Sequence, residues 1–141
     1  MKNEVTFTTN SEKETMDFGS FLGERAQDGL FIALTGDLGA GKTHFVQGLA
    51  KGMGIEGVVG SPTFTIMNIY EDGRLPLKHF DFYRLHSEDD LWNIGWEEWW
   101  WNGQICFLLS FLKKAFIFIS SFPVKRKERL LYPGAERLRL K

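Results

Sequence analysis

Leu30-Phe31-Ile32-Ala33-Leu34-Thr35 runs directly into Gly36-Asp37-Leu38-Gly39-Ala40-Gly41-Lys42-Thr43, and this stretch decides the fold. The first six residues are almost continuously apolar, as in a strand buried on both faces. The next eight match G-x-x-x-x-G-K-[ST], the phosphate-binding P-loop. Its glycines let the backbone curl so that successive N–H groups point inward at an anion. Lys42 supplies a mobile positive charge that reaches the β- and γ-phosphates. Thr43 offers a hydroxyl to a magnesium ion. Beyond it, Phe45, Val46, Leu49, Ala50 and Met53 have the spacing of one helix face, and Gly54 stands where a C-terminal cap belongs. The N-terminus of that helix adds its dipole and free N–H groups to the phosphate site. Strand, glycine loop and helix, in that order, form the context the motif requires.

Composition bounds the rest. A chain of 141 residues predicts a single domain spanning 1–141, long enough to bury a substantial core. The single cysteine, Cys106, excludes an internal disulfide and fits a reducing compartment. Residues 1–20 are polar and acidic, so no secretory signal is expected. The net charge of −1 conceals a reversal. Residues 1–106 carry 8 Lys and Arg against 16 Asp and Glu, whereas residues 107–141 carry 9 against 2. Residues 105–122 are strongly apolar, but Lys113-Lys114 in their middle would make a membrane span costly, and none is expected.

Outward from the P-loop, Glu4 to Thr9 alternates and is rich in β-formers, predicting a first strand. Ser11-Glu12-Lys13-Glu14 fits a capping box, with a helix running through Phe18, Phe21 and Leu22 to about Arg25. Two β-rich runs, Phe64 to Tyr70 and Leu75 to Tyr83, flank Glu71-Asp72-Gly73-Arg74 and predict a hairpin. Ser87 opens another helix, and Gln104 to Leu109 reads as a strand. The expected fold is α/β: a P-loop NTPase-like three-layer domain with a mixed, largely parallel sheet and a β-hairpin.

Hydrolysis needs a carboxylate to hold the magnesium shell and a group to orient water. Asp81 is the best candidate, because Leu77-Lys78-His79-Phe80-Asp81 is a strand ending in an acid, though Lys78 and His79 interrupt its apolar run. The other reading of Asp81 is a solvated acid at a strand end. Thr63 and Thr65 lie where some nucleotide-binding domains place a γ-phosphate sensor, and ordinary strand composition also accounts for them. His79 is read as a strand residue facing solvent or a neighbour, since no Cys or His partner stands at ligand spacing. Trp92, Trp96 and Trp99 have helical spacing and read as core; Trp100 and Trp101 cannot both share that face, so some exposed tryptophan surface is expected.

Four linked motifs carry a family resemblance. The P-loop, then Ser61-Pro62-Thr63-Phe64-Thr65, then His79-Phe80-Asp81-Phe82-Tyr83-Arg84-Leu85, then Ile94-Gly95, together resemble the TsaE family over about residues 1–106. These are small bacterial P-loop ATPases of tRNA threonylcarbamoyladenosine biosynthesis. The resemblance implies a cytoplasmic protein that binds ATP and magnesium and works with the TsaB and TsaD proteins. That complex modifies the adenosine next to the anticodon, so tRNA is reached through the complex. Carried onto this sequence, the resemblance has Gly36, Asp37, Leu38, Gly39, Ala40, Gly41 and Lys42 around the phosphates. Thr43 and Asp81 would serve magnesium, and Asp81 with Lys42 would serve catalysis. Thr63 and Thr65 would belong to a switch-like loop, and Ser11 and Glu12 would lie near the adenine.

The pattern changes after Cys106. Family members place a Glu-Trp pair shortly beyond the Ile-Cys strand, whereas this chain reads Phe107-Leu108-Leu109-Ser110-Phe111 and has no acid between Glu98 and Glu128. Either residues 107–130 are encoded out of frame or replaced, or the chain has diverged. Two other functions compete with a TsaE-type ATPase. One is a nucleotide-dependent binding module without hydrolysis. The other is a small-molecule P-loop kinase, for which Arg74 and Arg84 would be the only lid arginines between the P-loop and Cys106.

Overall fold

The computed structural model describes residues 4–27, 30–35, 39–62, 64–81, 90, 93, 106–111, 116–121 and 136–140. Its elements are β1 (Glu4–Phe7), α1 (Glu12–Arg25), β2 (Leu30–Thr35), α2 (Lys42–Gly52), β3 (Met67–Tyr70), β4 (Leu77–Asp81), β5 (Cys106–Phe111), β6 (Phe116–Ser121) and β7 (Glu136–Leu140). The strands form one sheet in the order β1-β7-β6-β2-β5-β4-β3. It is mixed: β1–β7, β2–β5 and β4–β5 are parallel, while β2–β6, β3–β4 and β6–β7 are antiparallel. The apolar run 105–122 therefore supplies two strands, β5 and β6, one on each side of β2. Among the described residues no helix is long and apolar enough to cross a membrane.

The local rules that predict α1 are visible in its first turn. Ser11 is the N-cap in extended conformation, and its Oγ accepts from the Glu14 N–H at 3.1 Å. Glu14 returns the bond one residue further out, accepting from the Asn10 N–H at 2.7 Å. Phe18 and Leu22 pack on the core, but Phe21 is half exposed, with the Arg25 guanidinium 3.7 Å above its ring. At the far end of α2, Gly54 takes φ 80°, the left-handed cap its position predicts.

The core lies between α2 and the sheet: Phe45, Val46, Leu49, Ala50 and Met53 meet Ile32 and Leu34 of β2 and Leu77 of β4. α1 joins through an unusually close crossing with α2. A Cβ added at Gly19 or Gly23 would collide with the backbone carbonyl of Phe45 or Leu49, and one at Gly48 or Gly52 with that of Met16 or Ser20. Two Gly-x-x-x-Gly pairs thus let the helix backbones touch. The pairs are Gly19-Ser20-Phe21-Leu22-Gly23 and Gly48-Leu49-Ala50-Lys51-Gly52, at positions where glycine by itself disfavours a helix.

The hairpin forms as expected, with Tyr70 opposite Leu77. Its β3 arm starts at Met67 rather than Phe64, because Ile66 adopts φ 67° and its N–H returns to the Pro62 carbonyl at 2.7 Å. All five residues of β4 are buried, including Lys78 and His79. β4 lies between β5 and β3, so of the two expectations for His79, solvent or a neighbour, the neighbour holds. The helix opened by Ser87 is described only at Asp90 and Asn93, and the tryptophan cluster lies outside the described residues.

Candidate nucleotide site

β2, β5 and β4 run parallel, so their C-terminal ends share one edge of the sheet, the edge where open α/β folds bind ligands. β2 delivers the P-loop there. Gly36, Asp37 and Leu38 lie outside the described residues; Gly39 to Thr43 are described. Gly39 and Gly41 have φ 82° and 95°, backbone that side chains other than glycine rarely adopt. Gly41 is the N-cap of α2, so Lys42 and Thr43 occupy its first two positions. No acid sits in that first turn, and the partial positive charge of the helix end stays available to an anion.

Asp81 reaches the same edge two strands away. It pairs in register with Ser110, and Ser110 pairs with Leu34. Directly paired residues share a sheet face, so Asp81 lies on the face of Leu34, which α2 covers. Two strand spacings put it about 10 Å from β2. Its side chain is buried, and its Oδ2 accepts from Ser61 Oγ at 3.2 Å. Its backbone N–H donates to the Ile66 carbonyl at 2.9 Å. The solvated-acid reading is thereby set aside for a buried, hydrogen-bonded carboxylate.

Ser11 and Glu12 come to the other side of the P-loop helix. Glu12 Oε1 lies 3.3 Å from His44 Nε2, tying the first turn of α1 to the first turn of α2. Thr15, one turn further, is buried, and its methyl group would lie 3.8 Å from a Cβ at Gly41. The Thr15 hydroxyl meets that of Thr9 at 2.8 Å and donates to the Ser11 carbonyl at 3.2 Å.

The loop between α2 and β3 joins these parts. Gln47 Nε2 of α2 donates to the Val59 carbonyl at 3.0 Å, and the Gly60 N–H reaches the Tyr70 hydroxyl at 3.4 Å. The His79 ring bonds the Gly60 backbone. Burial drives His79 down from its ordinary value to about 4, with Asp81 and the Gly60 bond opposing. Burial also lowers Lys78, on the opposite face of β4, against the pull of Glu71. Thr65 donates from its hydroxyl to Asn68 Oδ1 at 2.9 Å, while Thr63 lies outside the described residues. Arg74 is committed elsewhere: its guanidinium donates to the carbonyls of Ala26, Gly23 and Glu24 at 2.8, 2.9 and 3.3 Å and so caps α1.

A family model described as threonylcarbamoyl adenosine biosynthesis protein TsaE matches residues 9–115. A protein of Nostoc sp. (strain PCC 7120) named tRNA threonylcarbamoyladenosine biosynthesis protein TsaE is 47% identical over 89 residues, covering 63% of this chain and 54% of the relative. The Bacillus subtilis protein of the same name is 40% identical over 103 residues, covering 73% of this chain and 64% of the relative. The crystal structure of Bacillus subtilis YdiB superposes with a TM-score of 0.58 at 37% identity, covering 72% of this chain and 60% of that one. The chain thus spans between about half and two-thirds of the length of these relatives. The likeness to YdiB supports the α/β, P-loop-like fold built up above.

Proposed function

Because the chain belongs to the TsaE family, we propose that it is an ATP-binding component of threonylcarbamoyl modification of the adenosine next to the anticodon in tRNA. It would act with TsaB and TsaD in the cytoplasm and reach tRNA through that complex. One observation carries the reading: Lys42 and Thr43 open α2 at the same sheet edge, and on the same face, as the buried Asp81. Lys42 and the loop from Gly36 would hold the phosphates, and Thr43 would give its hydroxyl to magnesium. Asp81 would face the magnesium shell. Ser11 and Glu12 border the base, and Thr63 and Thr65 belong to the switch-like loop. Bound magnesium-ATP supplies the phosphoanhydride bond whose cleavage would reset the complex.

A second reading, nucleotide-dependent binding with little turnover, is favoured by the composition of β5. Cys106-Phe107-Leu108-Leu109-Ser110-Phe111 has no carboxylate beside Asp81. Losing a group that fixes the attacking water costs about 3 kcal/mol or more of transition-state stabilisation, while ground-state binding suffers less. The chain should therefore bind ATP and release phosphate very slowly, even with TsaB and TsaD present. Phosphate release, followed with and without those proteins, tests this. Replacing residues 107–130 with a family-like segment containing Glu-Trp should raise the rate. A present rate that the graft does not improve would show that another residue supplies the missing role. The kinase reading is disfavoured because Arg74, one of its two candidate lid arginines, is held by the carbonyls of α1.

A further inference from the structure

β4 contains a residue that stability alone does not explain. Leu77, His79 and Asp81 alternate onto the face covered by α2, in a strand whose five residues are all buried. An aliphatic residue at position 79 would fill such a strand without a polar group to satisfy. His79 Nδ1 is instead buried with no hydrogen-bond partner among the described residues. Leaving a buried polar atom unmatched is unfavourable, so its persistence calls for a reason.

The reason lies in what the ring holds. The ring bonds the backbone of Gly60, and the next residue, Ser61, donates to Asp81 Oδ2 at 3.2 Å. Two consecutive loop residues are thus clipped to two consecutive same-face residues of β4. The loop then returns to the same acid, since the Ile66 carbonyl accepts from the Asp81 N–H at 2.9 Å. Asp81 is held through its side chain at one end of the loop and through its backbone at the other. The return requires Ile66 at φ 67°, a strained conformation for a β-branched residue. The ring of His79 and the left-handed Ile66 thus bracket one loop, and both ends of that loop meet one carboxylate.

We propose that His79 is a positioning residue for Asp81: it anchors Gly60, which places the Ser61 hydroxyl that orients the carboxylate. The proposal rests on the reading of Asp81 as the acid facing the magnesium shell. Groups behind a metal-facing ligand change metal affinity by about 10–100-fold when removed. The test is calorimetric titration of the full chain with ATP, once in saturating magnesium and once in EDTA. The readout is the ratio of the two affinities. Asp81→Asn reports on the reading itself and should lower the ratio about tenfold or more. His79→Phe keeps the ring volume without its N–H and should lower the ratio similarly, with the affinity in EDTA unchanged. Ser61→Ala should do the same, and His79→Gln, which keeps a donor, should recover part of the ratio. If His79→Phe does not fold, Ser61→Ala carries the expectation of a lowered ratio with the EDTA affinity unchanged, and His79→Gln should stay closer to wild type than Ser61→Ala. The proposal is overturned, with the Asp81 reading intact, if Asp81→Asn lowers the ratio while His79→Phe and Ser61→Ala leave it unchanged. It is also overturned if His79→Phe weakens both affinities equally, the mark of a purely structural role. A ratio unmoved by Asp81→Asn overturns the proposal and the reading together.

Discussion

Thr43 and His79 show how much a single side chain decides here. Thr43→Val keeps the shape at the second position of α2 and deletes the hydroxyl. ATP binding to that variant should lose most of its gain from magnesium while its affinity in EDTA stays close to wild type. Equal magnesium gain in both proteins would remove Thr43 from the metal shell. His79 makes a prediction about stability. Unfolded, its imidazole titrates near its ordinary value of 6.5; folded, burial holds it near 4. Between those values the unfolded chain binds the extra proton, so acid favours unfolding. The contribution is complete above pH 6.5 and lost as pH falls toward 4, on the order of 1.4 kcal/mol per pH unit. Urea midpoints measured across that range should fall less steeply in His79→Phe than in wild type; parallel slopes would contradict a buried neutral ring. The P-loop residues were legible in the sequence because their chemistry is tied to fixed spacing. Ser61 and His79 were not legible as partners of a loop and an acid, because hydrogen bonds to irregular backbone leave no periodic trace.

The α1–α2 pair is where glycine changes meaning. At Gly48 an added methyl would run into the Met16 carbonyl, so the helices must separate or shift to admit it. Gly48→Ala should therefore destabilise the fold by about 1–3 kcal/mol, although alanine is the better helix former. Chemical denaturation checks the sign: an alanine variant as stable as wild type would mean that the crossing is looser than described. Sequence patterning found α1, α2 and the hairpin, because caps, apolar stripes and an Asp-Gly turn are local signals. It ended β5 at Leu109, whereas the strand runs on to Phe111. It missed the helix crossing because the two Gly-x-x-x-Gly pairs acquire their role only when the helices meet. Strand β3 began later than the run of β-formers suggested, since the Ile66 turn overrides composition there.

At the level of the whole chain, the sheet is what brings separated motifs to one edge. Residues 34 and 81 are far apart in sequence, yet the register through Ser110 brings them level on one face. Neither the strand order nor the place of β6 and β7 was readable beforehand, because pairing between distant strands depends on topology rather than on local pattern. The reversal of charge after residue 106 was legible, and Phe116–Ser121 nevertheless enters the sheet beside β2. The central claim is that this sheet edge binds the phosphates of ATP through the P-loop. The most direct test is calorimetric titration of wild type and Lys42→Ala with ATP in saturating magnesium. Removing a charge-assisted contact of about 1.5–3 kcal/mol predicts an affinity lower by about 10- to 150-fold in the variant, with the fold unchanged by circular dichroism. Equal affinities in the two proteins would contradict the account.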